Sequence, residues 1–253
     1  MTTQGHAPKI RRGLALVLLV GVWETLSQVG YWDPFYAPPP SAVGSVMFGL
    51  VADGELWPHL GATALAAFGG LVGGLLLGIT LGFVAALFPL LAELLEPVMI
   101  LLNAIPRVIL APLFVIWLGI GLASKLALAT ILVAVLIFFA VYKGIQEVDQ
   151  RLVERIRTLG GGRRVLIQHV YVPSVTAWVM GNFKVAVGFA FTGAVVGEFV
   201  ASSRGLGYLL QFAQSTYNAA LTIALILVIM GFVLVLFSVA ERVERHLLRW
   251  RHL

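Results

Sequence analysis

Cysteine is absent from the 253 residues, so no disulfide framework, thiolate metal site or cysteine nucleophile is available, and nothing about redox compartment follows from it. Charge is scarce too. Asp, Glu, Lys and Arg together make up 11% of the chain, against about a quarter in ordinary soluble domains, which leaves no room for a soluble domain. No G-x-x-x-x-G-K-[ST] loop occurs, so the chain is not expected to hydrolyse ATP. Neither H-E-x-x-H nor G-x-S-x-G occurs, and His6, His59, His169, His246 and His252 are too scattered for a metal cluster. The expectation is a chain with no catalytic residues, no metal and no cofactor of its own.

Hydrophobic residues are 60% of the chain and the mean hydropathy is +0.97. This length suffices for about six membrane spans of roughly 20 residues each. A polar tail with Lys9, Arg11 and Arg12 precedes an apolar run from Gly13 to about Val29. No Ala-x-Ala cleavage site follows, and Trp23 and Glu24 interrupt the run, so it is expected to stay as a first span rather than leave as a signal peptide. Residues 31–59 read as a loop rich in Pro and aromatics without Lys or Arg. Further spans are expected at about 60–88, 97–119, 122–141, 175–200 and 221–239, with a short turn at 89–97. Of the 17 Lys and Arg residues, thirteen fall in the two tails and between spans four and five, whereas only Lys125 and Arg204 fall on the other side. That asymmetry puts both termini in the cytoplasm.

The longest polar interruption is the basic stretch from Val153 to Pro173. Leu152, Val153, Ile156 and Leu159 share one helical face, with Arg151, Glu154, Arg155 and Arg157 on the rest. Gly160, Gly161 and Gly162 break that helix, Arg163 and Arg164 open a second with Val165, Leu166, Ile167 and Val170, and Pro173 is expected to close the unit. From charge and amphipathicity alone, this could be a basic loop lying on the anionic inner face of the bilayer. The stretch resembles the cytoplasmic signature of ABC-importer permeases, a Glu-Ala-Ala helix followed by Gly and an Ile-x-Leu-Pro ending. Glu154 stands at the acidic position, Gly160 six residues later, and Val170, Val172 and Pro173 at the ending; Arg155 and Ile156 replace the two alanines.

Three more pieces resemble the branch of that family that imports nitrate, aliphatic sulfonates and taurine: IPRVILAPLFVIWLGIGLASK from Ile105 to Lys125, VVGEF from Val195 to Phe199, and RGLGYLL from Arg204 to Leu210. The resemblance covers about residues 60–240. It implies an all-α polytopic membrane protein with the type I importer permease fold, a single domain over 1–253 and a cytoplasmic coupling segment at about 150–173. It also implies the partners: two ATPase subunits at the cytoplasmic face that bind ATP and Mg, a second permease copy, and an extracytoplasmic solute-binding protein. The setting implied is the bacterial inner membrane, and no nucleic acid is expected. Glu154, Arg155, Leu159, Gly160 and Arg163 are then the residues expected to couple to the ATPase.

Gly70, Gly74, Gly78 and Gly82 follow at a strict four-residue interval and leave one helix ridge bare, suited to close packing within the chain or across a dimer. Arg107, Lys184 and Glu198 lie inside spans, where an unpaired charge costs at least about 2.5 kcal/mol, and are candidates for the translocation path. Two cations would suit a small anion such as nitrate, a sulfonate or taurine; Lys184 could instead snorkel and Arg107 pair with Glu198. The branch also includes importers of uncharged pyrimidine and riboflavin precursors. An ion-coupled secondary transporter is the remaining alternative, and it would need a coupling site among these residues and Glu24.

Overall fold

A computed structural model describes residues 7–247, and the side chains of all of these except residues 7–10, 12, 107 and 247. Every regular element among the described residues is helical: α1 Ala7–Gln28, α2 Pro40–Ala52, α3 Leu56–Leu87, α4 Pro89–Ala104, α5 Arg107–Leu118, α6 Leu122–Gln146, α7 Gln150–Thr158, α8 Arg163–Leu166, α9 Val172–Val200, α10 Leu206–Ser215 and α11 Ala219–Leu247. A π turn, Ile167–Tyr171, joins α8 to α9. Helices α3, α6, α11 and the run Arg163–Val200 are long and apolar enough to cross a membrane, and α4 with α5 makes a fifth candidate if the bent pair is one span. In α1 the apolar part, Gly13–Gln28, is shorter.

By internal contacts the chain forms two compact units, one holding the residues up to 58 together with 209–230, the other 59–208 and the residues from 231 on. In the first unit α1 and α2 are tied by polar groups. The Glu24 carboxylate on α1 accepts from the backbone N–H of Ser41 at 2.9 Å and from its hydroxyl at 2.7 Å. Helix α2 starts at Pro40 with no side-chain cap of its own, so a carboxylate from another helix satisfies an orphan donor and opposes the positive end of the helix dipole. Ser27, 2% exposed, donates to the Ala37 carbonyl at 2.8 Å and holds the intervening loop. The stretch 31–59, expected to be a loop, therefore contains the 13-residue α2. Three prolines in a row obscure it in the sequence, although the last of them is well placed at the first helical position.

The second unit is organised around α6, whose middle is almost entirely buried: Leu128, Ala129, Val133, Ile137, Phe138 and Val141 are 0% exposed. On one side lies the glycine ridge of α3. A Cβ at Gly70 would meet Ala129, and one at Gly74 would meet Val133 and lie 2.8 Å from the Thr130 carbonyl oxygen. One at Gly78 would lie 2.6 Å from the Ala134 carbonyl oxygen, and one at Gly82 2.7 Å from Val141 Cβ. The two four-residue rows run along each other in register. On the other side α9 places Gly193 so close that its Cβ would be 2.6 Å from Ala129 Cα. Ala129 is thus held between two glycines on two neighbouring helices. Met99 of α4 packs with Ala85, Val135 and Phe138.

Two further expectations change. The segment 89–97 is the first half of α4, because Pro89 occupies the start of that helix, where its missing N–H costs nothing. The chain breaks at Ile105 and Pro106, while Pro112 sits inside α5. Pro173 does not close the basic stretch. The Val172 N–H reaches back five residues to the Ile167 carbonyl, and this wider π turn makes room for a proline ring that an α-turn would clash with.

Candidate functional site

The basic stretch folds as α7, a glycine corner and α8. Asp149 caps α7, accepting from the Arg151 N–H at 2.9 Å. At the other end the Gly161 N–H donates to the Ile156 carbonyl at 2.9 Å and the Gly160 N–H to the Arg157 carbonyl at 3.0 Å, the pair of bonds that makes a Schellman stop. Gly160 stands at φ +80° with open space around it, so glycine is required there by backbone conformation rather than by crowding. At Gly161 the reason is different, since a Cβ would run into Ile156.

Val153, 4% exposed, and Ile156 pack with Val148, Leu166, Val170 and Tyr171, which braces α7 against α8 and the π turn. Glu154, Arg155, Arg157 and Arg163 are exposed. Leu152 and Leu159 face outward as well, at 50% and 80% exposure, so the apolar face is split between an inner and an outer pair. Arg163 lies over the Phe88 ring at 5.6 Å, which ties the start of α8 to the turn between α3 and α4. The segment is thus fixed from inside and offers an outer surface of mixed charge with two leucines in it.

Of the residues proposed from the spans, Arg107 begins α5 and its side chain lies outside the described residues. Lys184 stands on a face of α9 shared with Gly181, Val185, Gly188 and Thr192. It lines an open groove of about 530 Å³ between α9 and α11 with Phe189, Val233 and Phe237. Its ammonium lies 3.9 Å from Glu241 and 5.6 Å from the Phe237 ring centre. Glu241 also meets Arg245 at 3.7 Å, so one carboxylate faces two cations.

Glu198 is elsewhere, 1% exposed, within a polar cluster where the beginnings of α3 and α6 meet the end of α9. Its carboxylate accepts from the Thr63 hydroxyl at 2.8 Å and from the Gly207 N–H at 3.0 Å. Thr63 in turn accepts from the Leu206 N–H at 2.9 Å. The Gly205 N–H donates to His59 Nδ1 at 3.1 Å, and the His59 ring stacks on Tyr208. Lys125, 6% exposed, donates to Ser202 Oγ and to the Arg204 carbonyl at 3.1 Å. Gly205, at φ +124°, lies against the Glu198 carboxylate with no space for a Cβ, and a Cβ at Gly207 would be 2.8 Å from Glu198 Cβ.

Glu198, Gly205 and Gly207 stand out in the sequence, and Lys125 does so as the end of the run Ile105 to Lys125 and as a charge on the translocated side, whereas nothing there points to Thr63, His59 or Ser202 as their partners. The available signal was that Lys125, VVGEF and RGLGYLL all fall at span ends. No cluster of His, Asp or Glu suited to a metal occurs among the described residues.

Comparison with known proteins agrees with this architecture. The chain is 34% identical over 243 residues to the riboflavin transport system permease protein of Chloroflexus aurantiacus, covering 96% of this chain and 91% of that one. It is 27% identical over 240 residues to the taurine transport system permease protein of Escherichia coli, covering 93% and 87%. The fold matches the crystal structure of an amino acid ABC transporter at a TM-score of 0.62, with 17% identity over 79% of this chain and 98% of that one. Residues 74–249 match the family described as the binding-protein-dependent transport system inner membrane component. The chain belongs to that family, and it is a multi-pass membrane permease of an ABC importer.

Proposed function

We propose that two identical copies of this chain form the translocation path of the importer, with both termini in the cytoplasm of a bacterial cell and both compact units parts of one permease domain. Two ATPase subunits dock on α7 and its glycine corner, bind ATP and Mg, and drive the cycle; a solute-binding protein delivers the solute on the opposite face. The observation that carries this reading is the construction of α7. It is capped at Asp149, stopped at Gly160, braced through Val153 and Ile156, and it presents Glu154, Arg155, Arg157, Leu152 and Leu159 outward. A helix fixed on its inner side with a mixed outer surface can pass on a rigid-body motion.

The stripe of Lys184, Gly188 and Thr192 on α9 is the part of the path this chain supplies. A charge exposed at membrane depth belongs in a water-filled passage or an interface. The solute is a small anion of the nitrate, sulfonate or taurine kind, met by Lys184 and Arg107. A second reading, an uncharged heterocycle such as a pyrimidine or riboflavin precursor, is favoured by Glu241, which offsets the Lys184 charge at 3.9 Å, and by the riboflavin-system relative.

The test is reconstitution of the chain in vesicles with its ATPase and binding protein, followed by uptake of taurine, an alkanesulfonate and riboflavin. ATP-dependent uptake that requires all three components supports the importer. Uptake by the chain alone on an ion gradient would overturn it.

A further inference from the structure

The polar cluster around Glu198 is closed to solvent within this chain. Glu198, Thr63 and Lys125 are each at most 6% exposed; Thr63 donates to Glu198, and further bonds go to the Ser202 hydroxyl and to the backbone of residues 204–207. In a membrane a buried carboxylate and ammonium at helix ends are expensive to keep. Their bonds here share one target. Four side chains from three helices, His59 and Thr63 of α3, Lys125 of α6 and Glu198 of α9, hold the short segment that follows α9. Gly205 and Gly207 let that segment approach where any side chain would collide.

From this cluster α9 runs back without interruption, through the π turn, to Arg163 in the coupling segment. The run is 38 residues, about 57 Å at 1.5 Å per residue. One end of a single rod is thus anchored in the cluster, and the other end is the second half of the ATPase-docking unit.

We infer that Glu198 and its partners are a latch that binds segment 202–207 to the outer ends of α3, α6 and α9, so that a load placed on this segment by the docked solute-binding protein is passed along α9 to the coupling segment. Glu198 acts as a positioning residue. This rests on the importer reading above, which sets the cluster on the outer face.

Left unpinned, the turn between α9 and α10 would flex at Gly205 rather than transmit a load. Pinned by hydrogen bonds at Ser202, Arg204, Gly205, Leu206 and Gly207, it moves only if the helix ends move. Coupling of this kind needs a demonstrated energetic link rather than an intermediate position in space, so the test measures both the latch and the signal.

The experiment uses the full complex in lipid vesicles with three variants, Ser202→Ala, Glu198→Gln and Thr63→Val. Ser202→Ala removes one of the two Lys125 contacts, leaving the bond to the Arg204 carbonyl and the buried carboxylate in place, and it keeps the test open if the other two assemble poorly. Hydrogen exchange of the 205–207 amides reads the latch, and the ratio of ATP hydrolysis with loaded binding protein to hydrolysis without it reads the signal, at equal assembled fraction. The expected result is faster exchange at 205–207 together with a ratio lowered at least about fivefold, the lower end of coupling between distinct sites. Faster exchange with an unchanged ratio would overturn the inference, and so would unchanged exchange in all variants. Failure of the importer reading looks different: the unaltered protein itself would show no response to the binding protein.

Discussion

Replacing Gly78 on α3 sets two opposed effects against each other, and the structure decides the sign. Alanine in place of glycine inside a helix gains about 1 kcal/mol from backbone entropy and propensity. A Cβ at Gly78, however, would sit 2.6 Å from the Ala134 carbonyl oxygen and 2.8 Å from Ile137 Cβ, where apolar atoms rest at about 3.5–4.0 Å. Helices α3 and α6 would have to part by about 1 Å, and a gap of that size forfeits up to about half of each affected dispersion contact along the row. Overpacking of this kind costs about 1–3 kcal/mol, so Gly78→Ala should be neutral to destabilising by about 2 kcal/mol. Gly78→Leu and Gly74→Leu should do worse, because the Cβ meets the same α6 atoms and each side chain adds three further carbons to a packed contact. Gly61→Ala is the control on the same helix, with nothing within 4 Å of the added carbon, and only the favourable effect should operate there. The assay is the monodisperse fraction of detergent-solubilised complex after a heating series. A Gly74→Leu, Gly78→Leu complex that assembles and survives heating like the parent would refute the packing argument.

Gly160→Val should leave membrane insertion intact but cost about 1–2 kcal/mol at the α7 corner, the penalty for a left-handed side-chain residue, and lower ATPase co-purification or solute-stimulated hydrolysis. Glu154→Lys reverses an exposed charge on the outer surface of α7, and it should weaken ATPase retention in a salt-dependent way, measured by pull-down across ionic strength. Asp149→Ala removes the cap of α7 and should cost about 1 kcal/mol of that helix, seen as faster hydrogen exchange confined to the Gln150–Thr158 amides. Lys184→Met should depress uptake of an anionic solute while sparing an uncharged one; equal loss of both would remove Lys184 from the path.

Much of the fold was legible because membrane insertion is written in local sequence: length of apolar run, basic residues between runs, and prolines at breaks. The glycine interval on α3 was legible for the same reason, since a four-residue period marks one helix edge whatever lies opposite. Which helix lies opposite was not. Helices apolar all round carry no amphipathic signal to aim a face, and the partner row Ala129, Val133, Ile137, Val141 is recognisable only once α6 is seen against α3. Helix α2 is hidden in the sequence because Pro-rich composition reads as a loop, and the Ser41 N–H at its start is satisfied by Glu24, 17 residues away. The split of α7's apolar face, with Leu159 outward, was hidden because periodicity ends at the corner and cannot say which side of it is braced.

The Glu198 cluster shows where such reading stops and why. Glu198 lies 135 residues from Thr63, and Lys125 lies 79 residues from Arg204, so no window contains the bonds. From sequence, a carboxylate inside a span is equally a path residue, an ion site or a structural acceptor. Two glycines nine or fewer residues later separate these possibilities. A glycine at φ +124° pressed on the carboxylate, and another whose N–H donates to it, are positions fitted to receive Glu198. The RGLG run and the VVGEF run are therefore two halves of one contact, and the spacing between them is the length of chain needed to turn back onto the end of α9. Where a buried acidic residue near the end of a membrane helix is followed within about ten residues by two glycines, the acceptor role is the reading to test first.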